Sequence, residues 1–553
     1  MPSVDTASAI LSSLDALGVT HILYCPGSRS APFAYALEAG SFGGDARAVL
    51  DERGAGFAAV GLARTGALPA IVVTSGTAVA ELAPAVLEAS HARLPLLLLT
   101  ADRPGELRGV GASQATDQAG FFGTHVRASV DLEPQEPSRA LVGQLTRAVA
   151  AACGAPAGAP GPVQINVAFR DPLTPVRPAS DSGDEAVVPF APRPPRVLRA
   201  HAEPECWEDV VGDARAGLIV AGEGASPRAR EWSRAAGFPL LSEPASGAWK
   251  GGGVTPFEQS LVASSLGSEV DAVVVTGRPT LSRPIQALLA RPDVRVVVVD
   301  PNSLWVDISG NASVVVADLD PACGSVSSCQ ADFAARVRDA ARDAGERIDS
   351  LLASGSGRTM LDLARAVATS TSGPLVLGAS NPVRAFDLGV SSLEGRVVHS
   401  NRGQAGIDGT IATAVGIALG SGCAGEASVP TGERVTAVMG DLTACYDASS
   451  LALAESAGVN LDIVVADDQG GGIFATLEHG RAASTEAYDR WFGVAQAVDY
   501  EALAAAYGVA FARAETPAQL AQLLATDEAG PRLVHAPVER ATHLYPALRD
   551  VLS

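Results

Sequence analysis

"VTAVMGDLTACYD" (Val435–Asp447), followed by "LDIVVADDQGGGIF" (Leu461–Phe474), decides how this chain is read. Each stretch opens with a short apolar run suited to one buried strand of a parallel sheet. Each run ends in an acidic residue, Asp441 and Asp468, 27 residues apart. In doubly wound sheets ligands collect beyond the carboxyl ends of strands, where helix N-termini leave N–H groups free for phosphates. Two carboxylates at such ends, with a carbonyl from the glycine-rich turn at Gly470, make the oxygen set that a divalent cation shares with a diphosphate. A plainer account also fits each stretch alone, with Asp441 as a helix N-cap and "QGGG" as an ordinary turn.

The same strand–loop–helix alternation runs through the chain. With 553 residues the prior is several domains, and three segments separate by punctuation. Residues 1–180 carry the runs "HILYC", "AIVVTS" and "LPLLLLT". The Pro-rich "DPLTPVRPASDSGDEAVVPFAPRPPR" (Asp171–Arg196) reads as a linker. Residues 197–345 hold "GLIVAG", "DAVVVTG" and "VRVVVVD", and residues 358–553 hold "PLVLGAS", "RVVHSN" and the opening pair. The expectation is α/β: three consecutive doubly wound parallel-sheet domains, the first and third open to a relation in fold.

Composition removes several functions. A net charge of −21 argues against nucleic acid and anionic membrane surfaces as partners. No apolar run reaches the ~18 residues of a membrane span, no export signal is expected, and seven cysteines without a CxxC pair fit a reducing compartment. A soluble cytoplasmic protein is expected. No HExxH or GxSxG pattern occurs.

Polar groups instead recur at strand ends. "YCPGSRSAPF" offers Ser28 and Arg29, suited to forking onto a carboxylate or to a capped helix start with a solvated Arg. "VLDERGAGFAAVGLARTG" sets Glu52 before a small-residue helix, and "TSGTAVAEL" sets Thr77 at a helix start that is either a cofactor loop or a cap. "TADRPGELRGVGASQATDQ" brings Asp102, Arg103, Arg108 and Gln114. "GASNPVRAFD" and "HSNRGQAGIDG" add Ser380, Arg384 and Arg402. Arginine at three separate strand ends of so acidic a chain points to a pocket for a polycarboxylate. "VAGEGAS" (Val220–Ser226) has the look of a dinucleotide loop but lacks its third glycine.

These motifs in this order resemble the thiamine diphosphate-dependent enzymes, whose cofactor motif is a Gly-Asp followed some 27 residues later by an amide or acid and a Gly-rich turn. The resemblance spans the chain as pyrimidine-binding, central and diphosphate-binding domains. "PGSRSAP", "DERG", "TSGTAVAEL", "TADRP", "SNRG", "GIDG" and "GDL" are similar to the branch that makes 2-succinyl-5-enolpyruvyl-6-hydroxy-3-cyclohexene-1-carboxylate for menaquinone biosynthesis. Leu442, where the superfamily usually has Gly, also fits that branch, and Asp468 stands where many relatives have Asn.

The resemblance implies thiamine diphosphate with Mg²⁺ or Mn²⁺, and 2-oxoglutarate and isochorismate as substrates. It implies Glu52 on the aminopyrimidine ring, and Asp441, Asp468 and the Gly470 carbonyl on the metal. Thr77, Gly440, Leu442 and Thr443 would line the cofactor, Ile407 would bend it, and Ile473 and Phe474 would line the pocket. It places Ser28, Arg29, Arg103 and Gln114 on the isochorismate side, and Ser380, Arg384 and Arg402 around the part derived from 2-oxoglutarate. Arg283 is carried over loosely where a Lys occurs in relatives. A homodimer or homotetramer with active sites between subunits is implied. Two alternatives stay open: an acetohydroxyacid synthase-like decarboxylase or carboligase, and a non-catalytic α/β nucleotide-binding protein.

Overall fold

The computed structural model describes residues 3–175, 191–321, 326–420, 432–526 and 528–553; most of the expected linker, 176–190, lies outside them. Two compact units emerge, Met1–Ala200 with Val415–Thr431, and His201–Ala414 with Gly432–Ser553.

The first unit is built on a six-stranded, wholly parallel sheet. In spatial order its strands are Asp45–Ala48, His21–Tyr24, Pro69–Val73, Leu96–Asp102, Pro162–Ala168 and Ala128–Leu132. Strands Pro69–Val73 and Leu96–Asp102 are buried throughout, as continuous apolar runs require when helices cover both faces.

The second unit holds two such sheets. One runs Val254–Thr255, Leu240–Ser242, Gly217–Ala221, Ala272–Thr276, Arg295–Val299, Ala312–Val316. The other runs Val398–His399, Leu375–Leu377, Val435–Gly440, Leu461–Asp467, Pro531–Pro537, Ala510–Arg513. Counted along the chain, the first and last sheets share the order 2-1-3-4-6-5, whereas the middle one is 3-2-1-4-5-6. The open expectation of a relation between first and third segments thus has a topological counterpart. The α/β parallel-sheet class is as expected. One continuous core joins the two sheets of the second unit: Trp249, Phe257 and Leu281 pack in the same cluster as Leu375, Phe386 and Val464.

A buried charge cluster pins the last sheet. Asp462, 1% exposed, accepts from Arg434 through both carboxylate oxygens at 2.8 Å and from Arg532 Nε at 2.9 Å. Cutting one member of a buried pair leaves desolvated charge behind. Asp462→Ala is therefore expected to cost about 3–5 kcal/mol, read as a lowered denaturant midpoint.

Candidate active site

In both outer sheets the strand order reverses between the first and third strands, and the carboxyl ends beside that reversal form the crevice where ligands fit. Apart from Arg283, the sequence-predicted residues follow the carboxyl ends of strands in these two sheets.

In the second unit, strand Val435–Gly440 stops because Gly440 is the extended N-cap of helix Asp441–Tyr446. Asp441 is thus the first helical residue rather than the cap. Its buried carboxylate accepts the Gly470 N–H at 2.7 Å, which ties the two opening stretches together. Burial pushes Asp441 up to about 6; the N–H of Leu442 opposes this and the charge of Asp467 adds to it. Burial, then the negative charge of Asp441, pushes Asp468 up to about 7. A buried carboxyl whose ionisation a neighbouring carboxylate suppresses, as Asp441 does for Asp468, is stabilised as an anion by a nearby cation.

The glycines answer to space. Gly470 has φ +119°, and a Cβ there would lie 2.2 Å from the Gly493 carbonyl oxygen; one on Gly472 would lie 2.0 Å from Asp468 Oδ2. Arg540 donates to the Asp468 and Gln469 carbonyls, bracing the turn from behind. Among the described residues no cluster of three His, Cys, Asp or Glu side chains forms a complete metal cage. A pair of carboxylates with a backbone carbonyl suits instead a hard cation completed by ligand phosphate and water. The donor set fits a Mg²⁺- or Mn²⁺-diphosphate.

Thr443 is buried, Leu442 and Ile473 are half-buried, and Ile407 and Phe474 are exposed apolar side chains. Asp447, fully buried, was not singled out from sequence: it accepts from Ile411 N at 2.7 Å and Ala412 N at 3.1 Å, capping the helix that follows Ile407. Its only sequence signal is an acid at the end of a six-residue helix.

Arg384 and Arg402 converge on one atom, the Ala379 carbonyl oxygen, at 3.2 and 3.3 Å; Arg384 also donates to Ser380 O at 2.8 Å. Burial, reinforced by the like charge of Arg402, pulls the Arg384 guanidinium below its usual range. Burial also holds the nearby acids Glu243, Glu258 and Asp387 above the usual carboxylate range, and the charges of Asp387 and Glu243 act on Arg384. The half-buried guanidinium of Arg384 beside the buried one of Arg402 makes a place suited to an anion. Arg283 does not join them: it is exposed and pairs with Glu478 at 3.1 Å.

In the first unit, Glu52 is the first residue of helix Glu52–Arg64, whose N-cap is Asp51, accepting from Arg53 N at 3.0 Å and Gly54 N at 3.4 Å. Cys25, at the end of strand His21–Tyr24, feels this end of the helix: burial, then the charges of Glu52 and Asp51, push its thiol up. Gly56 lets the helix close on its neighbour, since a Cβ there would lie 2.7 Å from Ala85 Cβ.

Ser28 is exposed, while Arg29 is buried and donates to Phe169 O at 2.9 Å. Burial pulls Arg29 down, and the charges of Asp171, Arg103 and Asp102 act on it, so these residues form one cluster. Gln114, at φ +54°, donates to Ser75 O at 3.0 Å while Ser75 Oγ donates back to Gln114 O at 2.9 Å. That exchange staples the loop ahead of the exposed Thr77. Arg108 is spent internally on Asp102 at 3.0 Å and Asp131 at 2.7 Å. Gln118 and Asn166, which sequence reasoning missed, hold Asp102 from beneath: Gln118 donates to Asn166 Oδ1 and Asn166 to Asp102 Oδ2, both at 2.9 Å.

The model of the thiamine pyrophosphate enzyme N-terminal TPP binding domain matches residues 4–121, and that of the C-terminal TPP binding domain matches residues 387–536. The chain is 40% identical to the 2-succinyl-5-enolpyruvyl-6-hydroxy-3-cyclohexene-1-carboxylate synthase of Nocardioides sp., covering 97% of this chain and 95% of that protein. It is 42% identical to the synthase of the same name from Kineococcus radiotolerans, with 96% and 94% covered. With that of Mycolicibacterium vanbaalenii it shares 38% identity over 98% and 97%.

Proposed function

Because the chain belongs to the 2-succinyl-5-enolpyruvyl-6-hydroxy-3-cyclohexene-1-carboxylate synthase family of thiamine pyrophosphate enzymes, we propose that it decarboxylates 2-oxoglutarate and adds the remaining succinyl-semialdehyde unit to isochorismate, in menaquinone biosynthesis. The observation that carries the substrate choice is the pair Arg384 and Arg402, which meet at one carbonyl oxygen with their charges close together. A pyruvate-using, acetohydroxyacid synthase-like enzyme has no second carboxylate to satisfy such a pair.

Thiamine diphosphate, when bound, supplies the nucleophilic carbon and the electron sink for loss of carbon dioxide. The residues of this chain place and protonate. Asp441, Asp468 and the Gly470 carbonyl would hold the cation of its diphosphate, with Gly440, Leu442, Thr443 and Thr77 around the cofactor. Ile407 would support its bend, and Ile473 and Phe474 would keep water from the reacting carbon. Glu52 would hold a proton at the aminopyrimidine ring nitrogen. Arg384, Arg402 and Ser380 would orient the donor acid, and Ser28, Arg29, Arg103 and Gln114 the acceptor, so that binding energy is spent on alignment. Arg283 has a structural partner in Glu478 and is assigned no part in this.

The reading includes a homodimer or homotetramer with active sites between subunits, and a cytoplasmic location. Supporting the latter, the described cysteines Cys25, Cys153, Cys206, Cys329 and Cys445 are free thiols. No described helix is long and apolar enough to cross a membrane.

The test is consumption of 2-oxoglutarate by the protein with thiamine diphosphate and Mg²⁺, with and without isochorismate, and with pyruvate in its place as control. Rapid loss of 2-oxoglutarate only when isochorismate is present is expected. No turnover with the pair, or equal turnover with pyruvate, overturns the proposal.

A further inference from the structure

The middle sheet reverses its strand order between Gly217–Ala221 and Ala272–Thr276, so the crevice beyond those two strand ends is where a sheet of this order takes a ligand. Here the chain fills it with itself. A Cβ on Gly222 would lie 2.1 Å from the Arg278 carbonyl carbon, and one on Gly277, at φ +69°, 2.6 Å from Glu223 O. Arg278 N donates to Glu223 O at 2.9 Å. Gly222 of "VAGEGAS" therefore serves loop-against-loop packing, and the interlock fixes the segment that follows, Arg278–Arg283.

That segment meets the loops of the last sheet through Arg278, Thr280 and Arg283, while Leu281 ties it to Glu243 beside the middle sheet. Arg278 Nη2 donates to the carbonyls of Arg402 and Gly403 at 3.1 and 3.0 Å. Thr280 Oγ1 accepts from Arg402 Nη2 at 2.9 Å. Leu281 N donates to the buried Glu243 at 2.6 Å, and Arg283 pairs with Glu478. The backbone and the guanidinium of Arg402 are thus both held by the middle domain. With Nη2 on Thr280 and Nη1 on Ala379 O, the buried Nε is left without a protein acceptor. A planar guanidinium held at two corners has its orientation fixed, so its remaining donors, Nε among them, keep set directions.

We propose that Thr280 and Arg278 are positioning residues for Arg402, through which the middle domain sets the preference for a 2-oxo acid carrying a second carboxylate. The proposal rests on the reading that Arg402 meets that carboxylate. A substrate without it gains nothing from the aim of Arg402, so loss of Thr280 should act selectively, as a general packing defect would not.

The test is steady-state kinetics of the full-length enzyme with thiamine diphosphate and Mg²⁺. For Thr280→Val we expect KM for 2-oxoglutarate to rise about tenfold, the size of one hydrogen bond to a charged group. The kcat and the KM for isochorismate should stay within about twofold, and the preference for 2-oxoglutarate over pyruvate should fall by a similar tenfold. Thr280→Ser should restore KM, and Arg278→Gln should shift it in the same direction as Thr280→Val. An unchanged KM for 2-oxoglutarate overturns the proposal. So does a joint shift of both KM values, the thermal midpoint and the cofactor dissociation constant read by fluorescence quenching. So does failure of Thr280→Val and Arg278→Gln to fold while Thr280→Ser folds, which assigns a purely structural role. Arg402→Gln separates the two levels: if it leaves KM for 2-oxoglutarate unchanged, the parent reading of Arg402 fails. If it raises KM while Thr280→Val does not, only the positioning role fails.

Discussion

Glu52→Gln is expected to lower turnover by a factor of about 10²–10⁴, the range of a positioned proton-transfer group, while the fold and cofactor affinity stay near wild type. The separation follows from the local structure. The helix beginning at Glu52 is capped by the side chain of Asp51, so its start survives the substitution. Glutamine keeps the volume and loses only the carboxylate. Circular dichroism and a thermal scan should therefore match wild type while the 2-oxoglutarate–isochorismate assay falls. A variant retaining more than a tenth of the wild-type rate would remove Glu52 from the proton path.

Asp441→Asn is expected to weaken Mg²⁺-dependent binding of thiamine diphosphate by roughly a hundredfold or more, since changes one step removed from a metal already cost ten- to a hundredfold. The amide oxygen still accepts the Gly470 N–H seen at 2.7 Å, so the turn keeps its shape. What is lost is the charge, at the place where we propose that Asp441 and Asp468 together attract a divalent cation. Calorimetric titration of Mg²⁺ into protein with thiamine diphosphate reads this directly, and wild-type affinity would move the anchor elsewhere. Mixing the two variants tests the assembly. If active sites lie between subunits of a dimer, reassociated Glu52→Gln and Asp441→Asn chains regain roughly a quarter of wild-type activity, because mixed dimers carry one intact site. Sites completed within one chain regain none.

Much of the architecture was legible because it is local. An apolar run closed by an acid or a polar turn and followed by a helix marks a strand end of a parallel sheet wherever it occurs. Gly440-Asp441, Asp468 to Gly470 and Asp51-Glu52 all sit at the helix starts or strand ends that pattern implies. The three six-stranded sheets follow from the same alternation.

Sequence alone determined the fold class, the strand-end acids and the surplus of strand-end arginines, since each depends on residues within one strand–loop–helix unit. It left the arginines equivalent. Tertiary structure decided which are spent and which are poised: Arg108 is neutralised by Asp102 and Asp131, and Arg283 by Glu478 at the surface. Arg384 and Arg402 share a carbonyl, with Arg402's charge pressing on Arg384. It also decided the long-range clamps, Asp447 on a helix start 36 residues earlier and Thr280 on Arg402, 122 residues away. The physical reason is that a charged side chain's state depends on its desolvation and nearest partner. Both are set where loops from different strands meet, and no periodicity along the chain encodes that meeting.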